Sequence, residues 1–163
     1  MSDHATHALA ISELLARFFQ AFDDKDWPAM RACLCDEVFA DYSSFRDRPA
    51  ATIPADRYVD QRRAALQPLA MQHNFLNLRV EVDPAAEHAT ARCNYVIHRF
   101  HPAFDGAGDD YFHSYGHYLF EFVTVADAWK ISRITQHLLR NKGNPELHGA
   151  TRTRGLGREG SPP

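Results

Sequence analysis

Several features are missing from this sequence, and each absence narrows what the chain can be. No apolar run approaches the about 20 residues of a membrane-spanning helix, so we expect no membrane partner. The N-terminal segment also lacks the basic-then-apolar plan of a signal peptide. The cysteines are few and without framework spacing, which favours a reducing, cytoplasmic location: Cys33, Cys35 and Cys93. A net charge of −3 with both signs mixed argues against nucleic acid as the main partner.

The sequence does contain enough apolar material for one folded domain. Of its 163 residues, 45 % are hydrophobic and 12 % are aromatic, which is typical of a globular protein with a sizeable core. After residue 141 the chain is rich in glycine, proline and arginine and has no apolar periodicity. We therefore predict a domain over residues 1–141 and a flexible C-terminal tail over 142–163.

The first half of the chain carries helical patterns. A first helix is predicted by apolar residues at steps of three and four: Ile11, Leu14, Leu15, Phe18, Phe19 and Phe22. Asp26 is the predicted N-cap of a second, short helix with Trp27 and Pro28 in its first turn. Residues 38–45 predict a strand. A loop follows, and a third helix begins near Pro54.

Four long strands in series follow, and they define the fold class. Their predicted ranges are 71–82, 88–101, 111–125 and 129–140. Because mostly short turns join them, we expect an antiparallel meander. The predicted class is α+β in the order α-α-β-α-β-β-β-β, with a curved mixed or antiparallel sheet of about five strands wrapped around three N-terminal helices. A concave pocket would lie between the layers.

His73 is the first candidate for chemistry. The apolar residues that follow it alternate with polar ones and share one predicted face: Leu76, Leu78, Val80 and Val82. His73 falls on the opposite face. From the pattern alone it is a solvated residue, a metal ligand or an acid–base group.

Three other side chains are candidates, each with an ordinary structural alternative. Asp23 falls at the edge of the first apolar stripe, where a carboxylate is half buried, or it is a solvated residue that closes the helix. His98 lies on the strand predicted to follow that of His73, and strands about 4.8 Å apart let facing side chains reach one molecule. Alternatively, His98 only packs. Tyr42 is a donor to a carbonyl or a half-buried strand tyrosine.

Metal, nucleophile and phosphate sites are not predicted. His98 and His101 point to opposite faces of a regular strand. His113 and His117 share a face but lie roughly 13 Å apart along a strand, too far for zinc bonds of about 2.0–2.1 Å. No serine has flanking glycines and no glycine-rich loop precedes a helix. We therefore expect no metal and no cofactor.

Four short stretches carry a family resemblance: FDDKDW, DYSSF, QHNF and VIHRF. With the 25-residue step from His73 to His98, they resemble the SnoaL-like part of the nuclear-transport-factor-2-like superfamily, and within it scytalone dehydratase, over roughly residues 8–140. The resemblance implies a cone-shaped α+β barrel that forms trimers or dimers. It also implies that Asp23 is the pocket aspartate and that His73 and His98 are the catalytic histidines.

The resemblance further implies that Tyr42 is one of two tyrosines that position a water on the substrate carbonyl. In the related lindane dehydrochlorinase, a matching aspartate and a histidine matching His73 form the working dyad. The sequence departs from the pattern at Phe22, which replaces the second tyrosine, and on the later strand, where Tyr118 or His113 replaces polar residues. Scytalone itself is therefore not the expected substrate.

These residues lead to a mechanistic hypothesis: a metal- and cofactor-independent hydro-lyase that acts on a small cyclic hydroxy ketone or polyketide-like substrate. His73 is the base, Asp23 orients an imidazole, Tyr42 donates to the carbonyl oxygen, and His98 or protonated His73 serves the leaving hydroxyl. Predicted walls for a hydrophobic or aromatic ring are Phe18, Phe22, Phe75 and Phe120. The alternatives are an isomerase or cyclase, a dehydrohalogenase, or a non-catalytic binding protein.

Overall fold

A computed structural model describes residues 2–46 and 48–148 of the chain. The helices are α1 (Ser2–Asp23), α2 (Trp27–Ala32), α3 (Ala55–Leu66) and a final 3-10 helix (Pro145–His148). The strands are β1 (Leu34–Asp41), β2 (Ala51–Pro54), β3 (Ala70–Val82), β4 (His88–Phe100), β5 (Phe112–Val125) and β6 (Ala128–Gly143). They form one open sheet in the order β2-β1-β6-β5-β4-β3. Within the described residues, no helix is both long and apolar enough to cross a bilayer.

The antiparallel meander is confirmed by the pairing of β3 to β6, and of the two predicted kinds of sheet the mixed one is found, with six strands instead of about five. β1 pairs parallel with β6 and antiparallel with β2. The short edge strand β2 lies where a loop was predicted, and Pro54 is tolerated there because an edge strand needs no further donor. β1 ends at Asp41, not at residue 45, because the Asp41 carboxylate accepts hydrogen bonds from the N–H and hydroxyl of Ser43 and turns the chain.

The stripe of α1 packs on the inner face of the sheet, as predicted. Its residues are at most 5 % exposed: Ile11, Leu14, Leu15, Phe18, Phe19 and Phe22. The ring of Phe18 lies 6.3 Å from that of Phe120, and the ring of Phe19 lies 5.4 Å from that of Phe75. The core therefore forms between α1 and the inner face of the sheet, with Phe75 of β3 and Phe120 of β5 in contact with the helix.

A bulge in β3 overturns the expected placement of its apolar residues. The pairing with β4 shifts between Leu76 and Arg79, and Asn77 has a φ of 54°, in the left-handed region. Because of the extra residue, the side chains that face inward are at odd-numbered positions before the bulge and at even-numbered positions after it. As a result His73 shares the inner face with Leu78 instead of opposing it, while Leu76 is 50 % exposed.

The start predicted for the C-terminal tail is also different. β6 continues to Gly143, and the 3-10 helix places His148 at 3 % exposure against Phe45 and Phe112, with ring centroids 5.2 and 6.1 Å apart. Residues 142–148 pack against the domain because His148 covers the small apolar cluster that contains Phe45 and Phe112. The rest of the predicted tail, 149–163, lies outside the described residues.

The N-cap predicted for α2 is confirmed and supports a stability prediction. The Asp26 carboxylate accepts a hydrogen bond of 2.9 Å from the N–H of Ala29. We expect Asp26→Ala to lower the free energy of unfolding by about 1 kcal/mol, because a helix N–H loses its partner. Urea denaturation followed by circular dichroism measures this. Asp26→Ser, which restores an acceptor, should recover most of the loss, and equal stability of all three proteins would contradict the assignment.

Candidate active site

A carboxylate and an imidazole meet where the end of α1 reaches the start of β3. Asp23 is the last residue of α1, and its Oδ1 lies 2.6 Å from Nδ1 of His73. The backbone N–H of His73 donates to both carboxylate oxygens, at 3.0 and 2.9 Å. Because a carboxylate only accepts hydrogen bonds, Nδ1 carries the hydrogen, and the neutral ring keeps Nε2 as its acceptor. Of the two histidines considered as partners of Asp23, His73 is the one in contact.

The surroundings of His73 are apolar and nearly dry. Its side chain is 4 % exposed, and that of Asp23 is 22 % exposed. The imidazole stacks on Phe22 at 4.7 Å and on Phe19 at 5.9 Å between ring centres. Burial lowers the pKa of His73 below its usual value, although the hydrogen bond to Asp23 opposes the shift. The ring is therefore neutral at pH 7, the form that can accept a proton.

His73 lines a cavity of about 20 Å³, here called the inner cavity. Its lining comes from α1, α3, the strands and the 3-10 helix: Phe22, Tyr42, Phe45, Arg46, Arg62, Leu66, His73, Arg99, Tyr118, Gln136 and His148. A volume of this size holds about one water molecule. A ring-sized substrate therefore enters the inner cavity only when the lining side chains move apart.

Tyr42 lines the inner cavity in a cluster with two residues of α3. The hydroxyl oxygens of Tyr42 and Tyr58 are 2.6 Å apart, so one phenol donates to the other. The guanidinium carbon of Arg62 lies 4.3 Å from the ring centre of Tyr42 and 4.5 Å from that of Tyr58. Burial and the neighbouring Tyr58 raise the pKa of Tyr42 well above its usual value. Tyr42 is thus a neutral hydrogen-bond group at working pH.

Tyr118 is a second buried phenol of the inner cavity. Gln136 Nε2 donates to its hydroxyl oxygen at 2.8 Å, which leaves the hydroxyl hydrogen of Tyr118 for another acceptor. Burial and the neighbouring tyrosines Tyr42, Tyr95 and Tyr58 raise the pKa of Tyr118 well above its usual value. Tyr118 can therefore donate a hydrogen bond to a substrate oxygen without losing its proton.

The other predicted wall residues divide between the cavity and its support. Phe22 lines the inner cavity and contacts His73 directly. Phe75 and Phe120 lie outside the lining and pack on Phe19, at 5.4 and 6.1 Å between ring centres. They pack on Phe19, which in turn stacks on the imidazole of His73, so they support the wall from behind the lining.

His98 and His113 were expected in the same hollow, but they lie on the outer face of the sheet. Their ring centres are 4.6 Å apart, and Phe100 and Tyr111 pack beside His113. In β4 the inward side chains alternate through Ile97, at 1 % exposure, to Arg99, at 3 %. His98 stands between them and must point outward. Two imidazoles therefore do not share the inner cavity.

Sequence reasoning missed the arginines. Arg62 is 5 % exposed and Arg99 is 3 % exposed, and both line the inner cavity. Arg99 donates to the hydroxyl of Ser114 at 2.9 Å, and burial lowers its pKa to about 10, so it is charged at pH 7. The alternation of inward and outward side chains along β4 was the feature of the sequence that could have placed Arg99 on the inner face. Across the described part of the chain, no three His, Cys, Asp or Glu side chains are placed to hold a metal ion.

The known proteins similar to this chain include a curated relative and two solved structures. A stretch of 71 residues is 27 % identical to the scytalone dehydratase PfmaJ of Pestalotiopsis fici and covers 42 % of this chain but only 37 % of that protein. The crystal structure of the Kfla4162 protein of Kribbella flavida superposes with a TM-score of 0.83 at 26 % identity, over 90 % of this chain and 99 % of that one. A type 2 hexachlorocyclohexane dehydrochlorinase superposes with a TM-score of 0.72 at 15 % identity, over 90 % and 94 %.

At 15 % identity, the similarity to the dehydrochlorinase concerns the fold alone. A family model, in contrast, matches most of the sequence. The SnoaL-like domain matches residues 3–135, which include α1 to α3, β1 to β5 and part of β6. This confirms the resemblance carried by the four short motifs, with Asp23 and His73 inside the matched range. The chain therefore belongs to the SnoaL-like domain family.

Proposed function

We propose that this protein is a cofactor-independent lyase that removes water from a small cyclic β-hydroxy ketone or a polyketide-like compound of that kind. The observation that carries the proposal is the contact between Asp23 and His73 inside an apolar wall. A buried carboxylate that fixes one imidazole nitrogen leaves the other as a directed base. The name of the curated relative, a scytalone dehydratase, supports elimination as the reaction class.

In the proposed reaction Nε2 of His73 takes the proton next to the substrate carbonyl. Asp23 stabilises the imidazolium that forms. Tyr118, whose hydroxyl hydrogen is free, and Tyr42 are placed to donate to the oxygen that becomes enolate-like. The C–O bond then breaks, and the imidazolium returns its proton to the departing hydroxide, which leaves as water. Since His98 lies outside the inner cavity, His73 serves as both base and acid.

The direct test is turnover of two simple β-hydroxy ketones, 3-hydroxycyclohexanone and 3-hydroxy-1-tetralone. Elimination gives an enone or a naphthol, each with a new ultraviolet absorption and a mass lower by one water. The 3-chloro analogues separate a dehydrohalogenase, since the same base would then release chloride. Binding without any product from any of the four compounds would favour a non-catalytic member of the family.

The dyad also supports a prediction that needs no substrate. The hydrogen bond and the negative charge of Asp23 both raise the pKa of His73, against the larger lowering by burial. We expect Asp23→Asn to remove the raising part, so the pKa of His73, already below 6.5, should fall further. Titration of the imidazole by NMR measures this. The exposed neighbour Asp24 provides the matched control, Asp24→Asn, which should leave that pKa unchanged.

The pH dependence of activity should shift in the same direction as the pKa of His73. A base must be neutral, so kcat/KM of the parent should rise with pH through the pKa of His73 and then level off. In Asp23→Asn the plateau should be lower, because the imidazolium loses its partner, and the rise should occur at a lower pH. A rise displaced to higher pH would contradict the assignment of Asp23 as the group that raises the pKa of His73.

A further inference from the structure

Arginines are concentrated on one side of the candidate site. Arg46, Arg62 and Arg99 line the inner cavity. A second cavity of about 190 Å³, here called the outer cleft, is lined by Arg46, Arg62, Arg48 and Arg57. Arg46 and Arg62 belong to both linings, so they stand between the two spaces. No aspartate or glutamate among the described residues lines either one.

These arginines have no acidic partner in the described part of the chain. Every ion pair found there uses other residues. What they do contact is neutral: Arg46 lies 3.3 Å from Nδ1 of His148, Arg62 stacks on Tyr42 and Tyr58, and Arg99 donates to a serine. The Nε atoms of Arg46, Arg62 and Arg99 are buried without a hydrogen-bond partner.

Such an arrangement is unfavourable in the empty protein. A buried guanidinium loses hydration, and three of them near one cavity repel one another. Arg62, with 5 % of its surface exposed, is fixed by the tyrosine rings and cannot move out to solvent. Burial and the neighbouring arginines lower the pKa of His148 well below its usual value. His148 is therefore neutral at pH 7, and it neither adds a positive charge to the cluster nor supplies a negative one. A bound anion would supply the missing charge and accept the free Nε–H groups.

We propose that the substrate of this site is an organic acid, whose carboxylate is held by Arg62 and Arg46 at the junction of the two cavities while its ring displaces the side chains around the inner cavity to reach His73. This rests on the proposed function, because it places the reacting carbon beside the dyad. A carboxylate fits because its planar pair of oxygens accepts two parallel N–H groups from a guanidinium. Arg48 and Arg57, both exposed at the outer cleft, would draw the acid toward the junction.

The test is calorimetric binding to the full chain at pH 7 of benzoate, its neutral methyl ester and inorganic phosphate. We expect benzoate to bind at least about tenfold more tightly than methyl benzoate, since charge-assisted hydrogen bonds are lost in the ester. Phosphate should bind more weakly than benzoate because it has no ring for the apolar wall. Equal affinity for acid and ester overturns the proposal, and phosphate binding as tight as benzoate makes the site a general anion site instead.

Two variants locate the contact. Arg62→Met should weaken benzoate binding by about ten- to hundredfold and leave the methyl ester unaffected. The next residue provides the control: Arg63 is 52 % exposed and pairs with Asp60 on the surface, so Arg63→Met should bind benzoate as the parent does. If Arg62→Met does not fold, the exposed double variant Arg48→Met/Arg57→Met decides: it should lower both the affinity and its dependence on salt.

The outcomes separate this inference from the proposed function. His73→Gln should keep the preference for benzoate over its ester, because the arginines are unchanged. If the preference is found but hydroxy ketones are not turned over, with or without a carboxylate on the ring, the elimination is wrong and the acid-binding site stands. If neutral hydroxy ketones are turned over and benzoate binds no better than its ester, the elimination stands and the carboxylate site is wrong.

Discussion

His73→Gln should lower kcat/KM for dehydration of 3-hydroxycyclohexanone by about 10²–10⁴, the usual contribution of a placed acid–base group. Glutamine is neutral and reaches about as far as Nε2 of the imidazole, and the backbone N–H of residue 73, which the substitution leaves in place, continues to donate to the Asp23 carboxylate. What it removes is a basic nitrogen at Nε2. The loss should therefore appear mainly in kcat and much less in KM. Initial rates of enone formation over a range of substrate concentrations measure both.

The matched control for this experiment is the histidine on the other side of the sheet. His98 stands on β4 with its ring against His113 on the outer face, so His98→Gln changes a similar surface without touching the inner cavity. We expect its kcat/KM to stay within about twofold of the parent, as for an exposed substitution with little effect on structure. A large loss in His98→Gln together with a small loss in His73→Gln would reverse the assignment of the base.

The behaviour of His98 shows where sequence reasoning about the site succeeded and where it failed. In β4, odd positions carry the apolar side chains Ala89, Ala91, Cys93, Tyr95 and Ile97. A strict period of two extends that face to Arg99 and places His98 outside. Family spacing pointed to the histidine, whereas the local alternation pointed to its neighbour. For a regular strand without a bulge, the alternation was the stronger physical argument.

His73 is the opposite case, because there the alternation misled. Read without interruption, β3 puts His73 opposite Leu78, but the bulge at Leu76 and Asn77 returns both to the inner face. One extra residue reverses the parity of everything beyond it. Asparagine tolerates the left-handed backbone of this position better than most residues, yet nothing else in the sequence marks the bulge. The three α-helices and five of the six strands were predictable from the sequence, whereas this irregularity was not.

The parallel pairing of β1 with β6 and the arginine cluster share another reason for being missed. Arg46, Arg62 and Arg99 come from three distant parts of the chain, and each alone is an ordinary charged residue of a loop, a helix or a strand. Only tertiary packing turns their charges toward one space. Patterns along the sequence reflect local periodicity, so they predicted well that Asp23 lies at the edge of the apolar stripe of the first helix. They carry no information about a cluster whose members are far apart in the sequence.

Phe18→Ala should cause the largest loss of stability, about 3–5 kcal/mol in the free energy of unfolding. Phe18 is 1 % exposed, and its ring lies 5.2 Å from Phe22, 5.7 Å from Phe19 and 6.3 Å from Phe120. Truncation removes apolar burial and leaves a hole bounded by large rings that cannot collapse into it. Urea unfolding measures the loss, and the melting temperature should fall by roughly 2–4 °C per kcal/mol.

The same helix supplies the control, since Leu9 is 61 % exposed and Leu9→Ala should change stability by no more than about 0.5 kcal/mol. The effect of Phe18→Ala should extend to the site, because the ring beside it, Phe22, stacks on His73. At a temperature where the variant stays folded, the NMR line of the His73 imidazole should broaden or shift while Asp23 remains its partner. A loss of less than about 1 kcal/mol would mean that the neighbouring rings close the gap, and that the core beneath the dyad is softer than its packing implies.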